Sequence, residues 1–174
     1  ANDATIILTE NNVLEGSVTF TSTDTDANDA ETVELTNTTA TILGGTTETG
    51  NFTLKSNGGV TQTAALDVDG TTSITESADD ADVTLTNVGN ALTGAITIVS
   101  DDTDGDNAED VDITNSIGTV LGGTTQSGTL DVVSKTGNIA QTGALDVDTT
   151  SSFTTEANDA TIILTENNVL EGSV

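Results

Sequence analysis

Residues 1–18 and residues 157–174 are the same eighteen residues in the same order, ANDATIILTENNVLEGSV. A chain that repeats itself with a period of 156 residues must fold into something that can follow itself. Each unit has to hand the chain to the next copy in the geometry in which it received it. Perfect identity over this stretch predicts many near-identical copies, with the present chain holding one unit and the start of the next.

An older duplication lies inside the unit. ANDATIILT (1–9) matches ADDADVTLT (78–86), and DTDANDAE (24–31) matches DTDGDNAE (102–109). TILGGTTETG (41–50) matches TVLGGTTQSG (119–128), and VTQTAALDVDGTTSIT (60–75) matches IAQTGALDVDTTSSFT (139–154). The domain reading is therefore a first half-repeat over 1–77, a second over 78–156, and the start of an identical repeat over 157–174.

A shorter beat runs within each half. Strand-like cores centre near Leu14, Leu35, Leu54, Ile74, Leu92, Ile113, Val132 and Phe153. Repeats of about twenty residues are the signature of a solenoid, in which each repeat is one small unit that buries its apolar face only against its neighbours. Local pattern agrees. Thr5–Thr9, Ser17–Thr21, Val33–Thr36 and Asp82–Thr86 are rich in β-branched residues, and several alternate apolar with polar. Gly, Asn and Asp punctuate them.

Composition narrows the choice further. The chain has no Pro, which would delete ladder hydrogen bonds in a central strand, and only three Phe among its aromatics. Small and branched side chains suit the like-on-like columns of a β-solenoid. The sequence thus predicts an all-β fold, a parallel β-helix with about eight coils per 156-residue repeat, and at ~4.8 Å per coil a rise of roughly 38 Å. Tandem β-sandwich domains of half-repeat size are the alternative. They would leave the short beat without a cause, and their cores usually carry Trp or Tyr.

The segment GTLDVVSKTGNIAQTGALDVDTTSSFTTEANDATIILTENN (128–168) resembles the filamentous-haemagglutinin class of large secreted exoproteins, as does 50–90, with weaker likeness in the segments between. The resemblance implies a right-handed parallel β-helix, secretion across an outer membrane, and a role in adhesion or matrix. It brings no catalytic residues.

Asp24, Asp26 and Asn28, and again Asp102, Asp104 and Asp106, place oxygen side chains at the first, third and fifth positions of a loop, as calcium loops begin. Glu31 and Glu109 follow as further candidate ligands. The residues that would complete an EF-hand are missing, so the readings are a turn-borne calcium site or an exposed acidic loop that keeps the protein soluble. Asp67 with Asp69, and Asp146 with Asp148, flank an inward Val on one strand face. Paired carboxylates could do acid–base work, but neither Arg nor His accompanies them, and a solvated face is the better reading.

The net charge is −27, with 29 acidic residues against two lysines, Lys55 and Lys135. Such a chain repels nucleic acid and anionic lipid. With no Cys there is no disulfide framework or thiolate metal site, and no apolar run is long enough to insert in a membrane. The expectation is an extracellular or cell-surface structural filament, sheath or matrix protein. It would be no enzyme, would bind no organic cofactor, and would take structural Ca2+ at most. Its partners would be further copies of itself, or a cell surface or polysaccharide. An adhesin stalk and, more remotely, a carbohydrate-active β-helix are the competing readings.

Overall fold

The structure is a computed structural model, and it describes residues 4–22, 31–44, 47–100, 109–122 and 125–174. Among these residues there is no helix, and every strand pairing is parallel. The chain is a β-solenoid, and the sandwich alternative is excluded.

Strands stack in three sheets. The first runs β1 (Ile6–Asn12), β3 (Thr32–Asn37), β6 (Asn51–Ser56), β9 (Thr72–Glu76), β12 (Ala95–Ser100), β14 (Thr119–Leu121), β17 (Ile139–Gln141) and β20 (Ile162–Ile163). Beside its later part stand β15 (Thr125–Ser127), β18 (Leu145–Val147) and β21 (Val169–Leu170). The second sheet stacks β2 (Ser17–Val18), β4 (Thr41–Leu43), β7 (Val60–Gln62), β10 (Val83–Leu85), β13 (Asp110–Asn115), β16 (Thr129–Ser134) and β19 (Ser151–Thr155). The third holds β5 (Thr47–Thr49), β8 (Leu66–Val68) and β11 (Ala91–Leu92).

Alternation along each strand explains why these residues form these walls. In β3 the side chains of Val33 and Leu35 point in and are fully buried, while Thr32, Glu34 and Thr36 lie on the outer side. Parallel register then stacks like on like. Leu35 sits on Leu54, Leu54 on Ile74 and Ile74 on Ile98, while Val111 sits on Leu130 and Ile113 on Val132. The result is one continuous apolar column filled by Val, Leu, Ile and Phe, with Phe20 and Phe52 as a tilted pair 6.3 Å apart.

The coil count differs from the sequence expectation. β20 is the copy of β1 one period on, and the two are seven interstrand steps apart in the first sheet. A repeat is therefore about seven coils, a rise of roughly 34 Å, and not eight. The spacing misled because corners vary in length. Leu35 pairs Leu54 after 19 residues, but Ile74 pairs Ile98 after 24 and Val83 pairs Val111 after 28. Extra residues go into corners such as Ala78–Asp79–Asp80–Ala81, where Asp80 takes the left-handed conformation at φ 56°. Its copy Asp159 does the same at φ 59°. Aspartate tolerates that region better than most residues with a Cβ. Leu92, counted as a coil centre, belongs to a two-residue strand that shares its coil with β10 and β12.

Seven coils per repeat make three and a half per half-repeat, so each strand and its copy lie in different sheets. The long strands β3, β6 and β9 are in the first sheet, and their copies β13, β16 and β19 are in the second. The short strands β4 and β7 are in the second, and their copies β14 and β17 are in the first. At the changeover β12 carries β14 on Ala95 and Ile96 and carries β15 on Val99. On the opposite wall β13 covers β10, and its last residue reaches over β11.

Candidate functional site

That last residue is Asn115. Its carboxamide oxygen accepts the N–H of Leu92 at 3.0 Å, and its amide nitrogen donates to the Leu92 carbonyl at 2.9 Å and the Gly118 carbonyl at 3.0 Å. The side chain behaves as one extra rung of backbone, satisfying both polar groups of a buried strand where the third sheet ends. Asn37 does the same for Leu14, accepting its N–H at 2.9 Å and donating to its carbonyl at 3.1 Å.

A second carboxamide device fixes the next corner. Gln62 and Asn90 exchange hydrogen bonds of 2.8 and 2.9 Å, while Asn90 Oδ1 accepts from Leu66 N and Gln62 Nε2 donates to the Ala64 carbonyl. Gln141 and Asn168 reproduce it with bonds of 2.8 and 3.1 Å, an acceptance from Leu145 N, and a donation to the Gly143 carbonyl. These residues were not singled out in the sequence. Their signal was there: the same amide residues recur at matching places in both halves.

The residues singled out fare differently. Asp24, Asp26, Asn28, Asp102, Asp104 and Asp106 lie outside the described residues. Glu31 and Glu109 are described, and both are about 1% exposed in the wall just before β3 and β13. Their main chains hold the coil above: the Glu31 carbonyl accepts from Asn51 N and Thr49 Oγ1, and the Glu109 carbonyl from Gly128 N and Thr129 N. Glu109 Oε1 accepts from Asp80 N at 3.2 Å, while Oε2 is buried with no hydrogen-bond partner among the described residues. Also among the described residues, no group of three or more acidic side chains is placed to hold a metal ion. Asp67 and Asp146 stand on the outer side beside inward Val68 and Val147, with Asp69 and Asp148 just past the strand ends.

Two carboxylates have shifted protonation. Burial pushes the Glu76 carboxyl up, opposed by the backbone amides of Ala78, Gly58 and Ser77 and by the Ser100 hydroxyl. Burial also raises Asp112, and the negative charges of Asp131, Asp110 and Asp82 raise it further. Asp112 and Asp131 are register partners on the outer face of the second sheet, one strand spacing apart.

The chain matches, over residues 30–99 and 108–174, the family described as repeats of unknown function (DUF5649), and it belongs to that family. The two matched segments begin 78 residues apart. No curated protein and no solved structure matches the chain. The class is thus a tandem-repeat β-solenoid.

Proposed function

We propose that this chain is part of an extracellular structural filament, sheath or matrix fibre assembled from tandem solenoid repeats. The observation that carries the reading is continuity. β20 repeats the residues of β1, lies in the same sheet, and is reached after a whole number of coils, so a following copy can stack without a break. The repetitive β-helix character also supports the resemblance to filamentous-haemagglutinin-like exoproteins, in which such a solenoid would be the stalk of an adhesin. A distinct non-repeating domain at an end of the full-length protein would favour the stalk.

The charge supports a cation requirement. Eight stacked strands span roughly 38 Å at ~4.8 Å each. A net charge of −27 over that length is denser than the charge per ~1.7 Å of duplex DNA. Condensed counterions must offset the self-repulsion. Calcium bridging between coils, with Asp24, Asp26, Asn28 and Glu31 and with Asp102, Asp104, Asp106 and Glu109 as its ligands, is part of this proposal.

The test is electron microscopy of an array of several repeats. The expected image is a filament of constant width with a ~34 Å axial repeat, bundled by calcium. Separate beads would sink the fibre reading. Bundling and melting unchanged by excess chelator at matched ionic strength would sink the calcium part alone.

A further inference from the structure

Asn57 and Gly58 form the turn that leaves β6. Asn57 is exposed, and its N–H is tied to the Asn37 carbonyl of the preceding coil at 3.0 Å. Gly58 has φ 152°, and a Cβ there would stand 2.6 Å from the backbone nitrogen of Ala40. The turn therefore accepts only glycine.

That demand creates a chemical weak point. With no side chain on Gly58 to shield it, its backbone nitrogen can reach the side-chain carbonyl carbon of Asn57. The Gly58 N–Asn57 Cγ bond forms, the Cγ–Nδ2 bond breaks, and ammonia leaves with the proton given up by Gly58 N. Water then opens the five-membered imide to aspartate or isoaspartate.

Glu76 stands over this turn. It ends β9 in register with Ser56, is fully buried, and is approached by the Gly58 backbone amide together with those of Ala78 and Ser77. Ala78 N donates to Oε1 at 2.6 Å, and Ser56 Oγ ties down the Gly58 carbonyl at 2.8 Å. A buried carboxylate facing no cation among the described residues is a costly residue to keep, and the other half-repeat does not keep it. There the matching residue is Thr155, whose hydroxyl donates to the Gly137 carbonyl at 2.7 Å, and the matching turn reads Thr136–Gly137. The labile pair and the buried acid occur together in one half and are both replaced in the other.

We propose that Asn57 is a deamidation site and that Glu76 restrains it by holding the Gly58 nitrogen, so that conversion follows local opening of this coil. The product adds a negative charge to the turn. The isoaspartate form also inserts a methylene into the main chain beside a ladder hydrogen bond, marking an opened repeat irreversibly.

The test is peptide mapping by mass spectrometry of the full chain held at neutral pH, folded and in urea. Expected are conversion at Asn57 several-fold slower in the folded chain than in urea, and acceleration of several-fold in folded Glu76→Thr, which installs the other half's residue. Asn57→Thr should abolish the product. Equal folded and unfolded rates in the wild type would overturn the proposal, as would an unchanged rate in Glu76→Thr. Leu54→Ala controls for general destabilisation: if it accelerates conversion as much as Glu76→Thr at equal loss of stability, Glu76 has no specific role. Native-state hydrogen exchange gives a readout independent of any variant. A Gly58 amide that exchanges as fast as an exposed one also overturns the proposal.

Discussion

The two half-repeats share about half their sequence, yet their matching long strands stand in different walls of the same solenoid. In the first, the inner column at the ends of the long strands reads Asn37, Ser56 and Glu76 in the first sheet, and Ser100 of the second half stacks next on it. In the second it reads Asn115, Ser134, Thr155 and closes the second sheet. The asparagine at the start of each column is constant in type and in bonding, while the residue two coils on changes from a buried acid to a hydroxyl. The asparagine therefore specifies the changeover between sheets, and what stacks after it is free to vary as long as its polar atoms find partners.

Removing that asparagine should have the largest effect. Asn115→Ala leaves the N–H and C=O of Leu92 buried and unpaired, at about 1–3 kcal/mol for each group. Asn37→Ala breaks the same pair of bonds to Leu14, but Leu14 is only partly buried, so water can replace them. Urea midpoints should fall much further for Asn115→Ala. In an array of several repeats, where an internal copy of Leu14 is covered like Leu92, the two losses should converge. Equal losses in the present chain would mean that the carboxamides do not act as a rung.

A smaller effect separates the halves by pH. The folded-state values of Glu76 and Asp112 lie above their ordinary 4.5 and 3.8. The native state thus holds more protons than the unfolded one between those values and the raised ones, and stability falls as pH rises through that window. Melting temperature should be higher near the lower end than at neutral pH. Glu76→Thr should remove the part arising in the first half, and Asp112→Asn the part arising in the second. Slopes identical to wild type in both variants would assign the pH dependence to overall charge alone.

The smallest effect is expected at the surface. Lys135 and Glu156 form an ion pair at 2.6 Å with both side chains substantially exposed, a contact found only in the second half among the described residues. Lys135→Ala should cost no more than about 1 kcal/mol and less at high salt. A loss above that, measured by chemical denaturation, would show that the pair pins the turn at Ser134–Gly137.

The fold class was legible because it rests on alternation and on absence of proline, and both survive without tertiary information. Val33, Leu35, Val83 and Leu85 point inward as their strand pattern requires. The coil number was not legible, because Leu92 and Leu54 look alike in sequence although one sits in a two-residue strand and the other in a six-residue one. Nor was the burial of Glu31 and Glu109. A glutamate beside an Asp-rich loop reads as solvated, and only the stacking of the next coil on its carbonyl draws it into the wall. The carboxamide rungs were hidden for a similar reason: which backbone groups lack partners depends on where a sheet stops.

The half-coil offset has a genetic consequence. The registers at the start of the two halves are copies of each other, Ile6 on Val33 and Val83 on Val111, then Ser17 on Ile42 and Ala95 on Val120. Recombination that gains or loses a single half-repeat would therefore splice a valid junction, altering the fibre by about 17 Å. It would also rotate everything downstream by about half a turn. Parity, more than length, then decides whether whatever hangs from the two ends of an array points the same way.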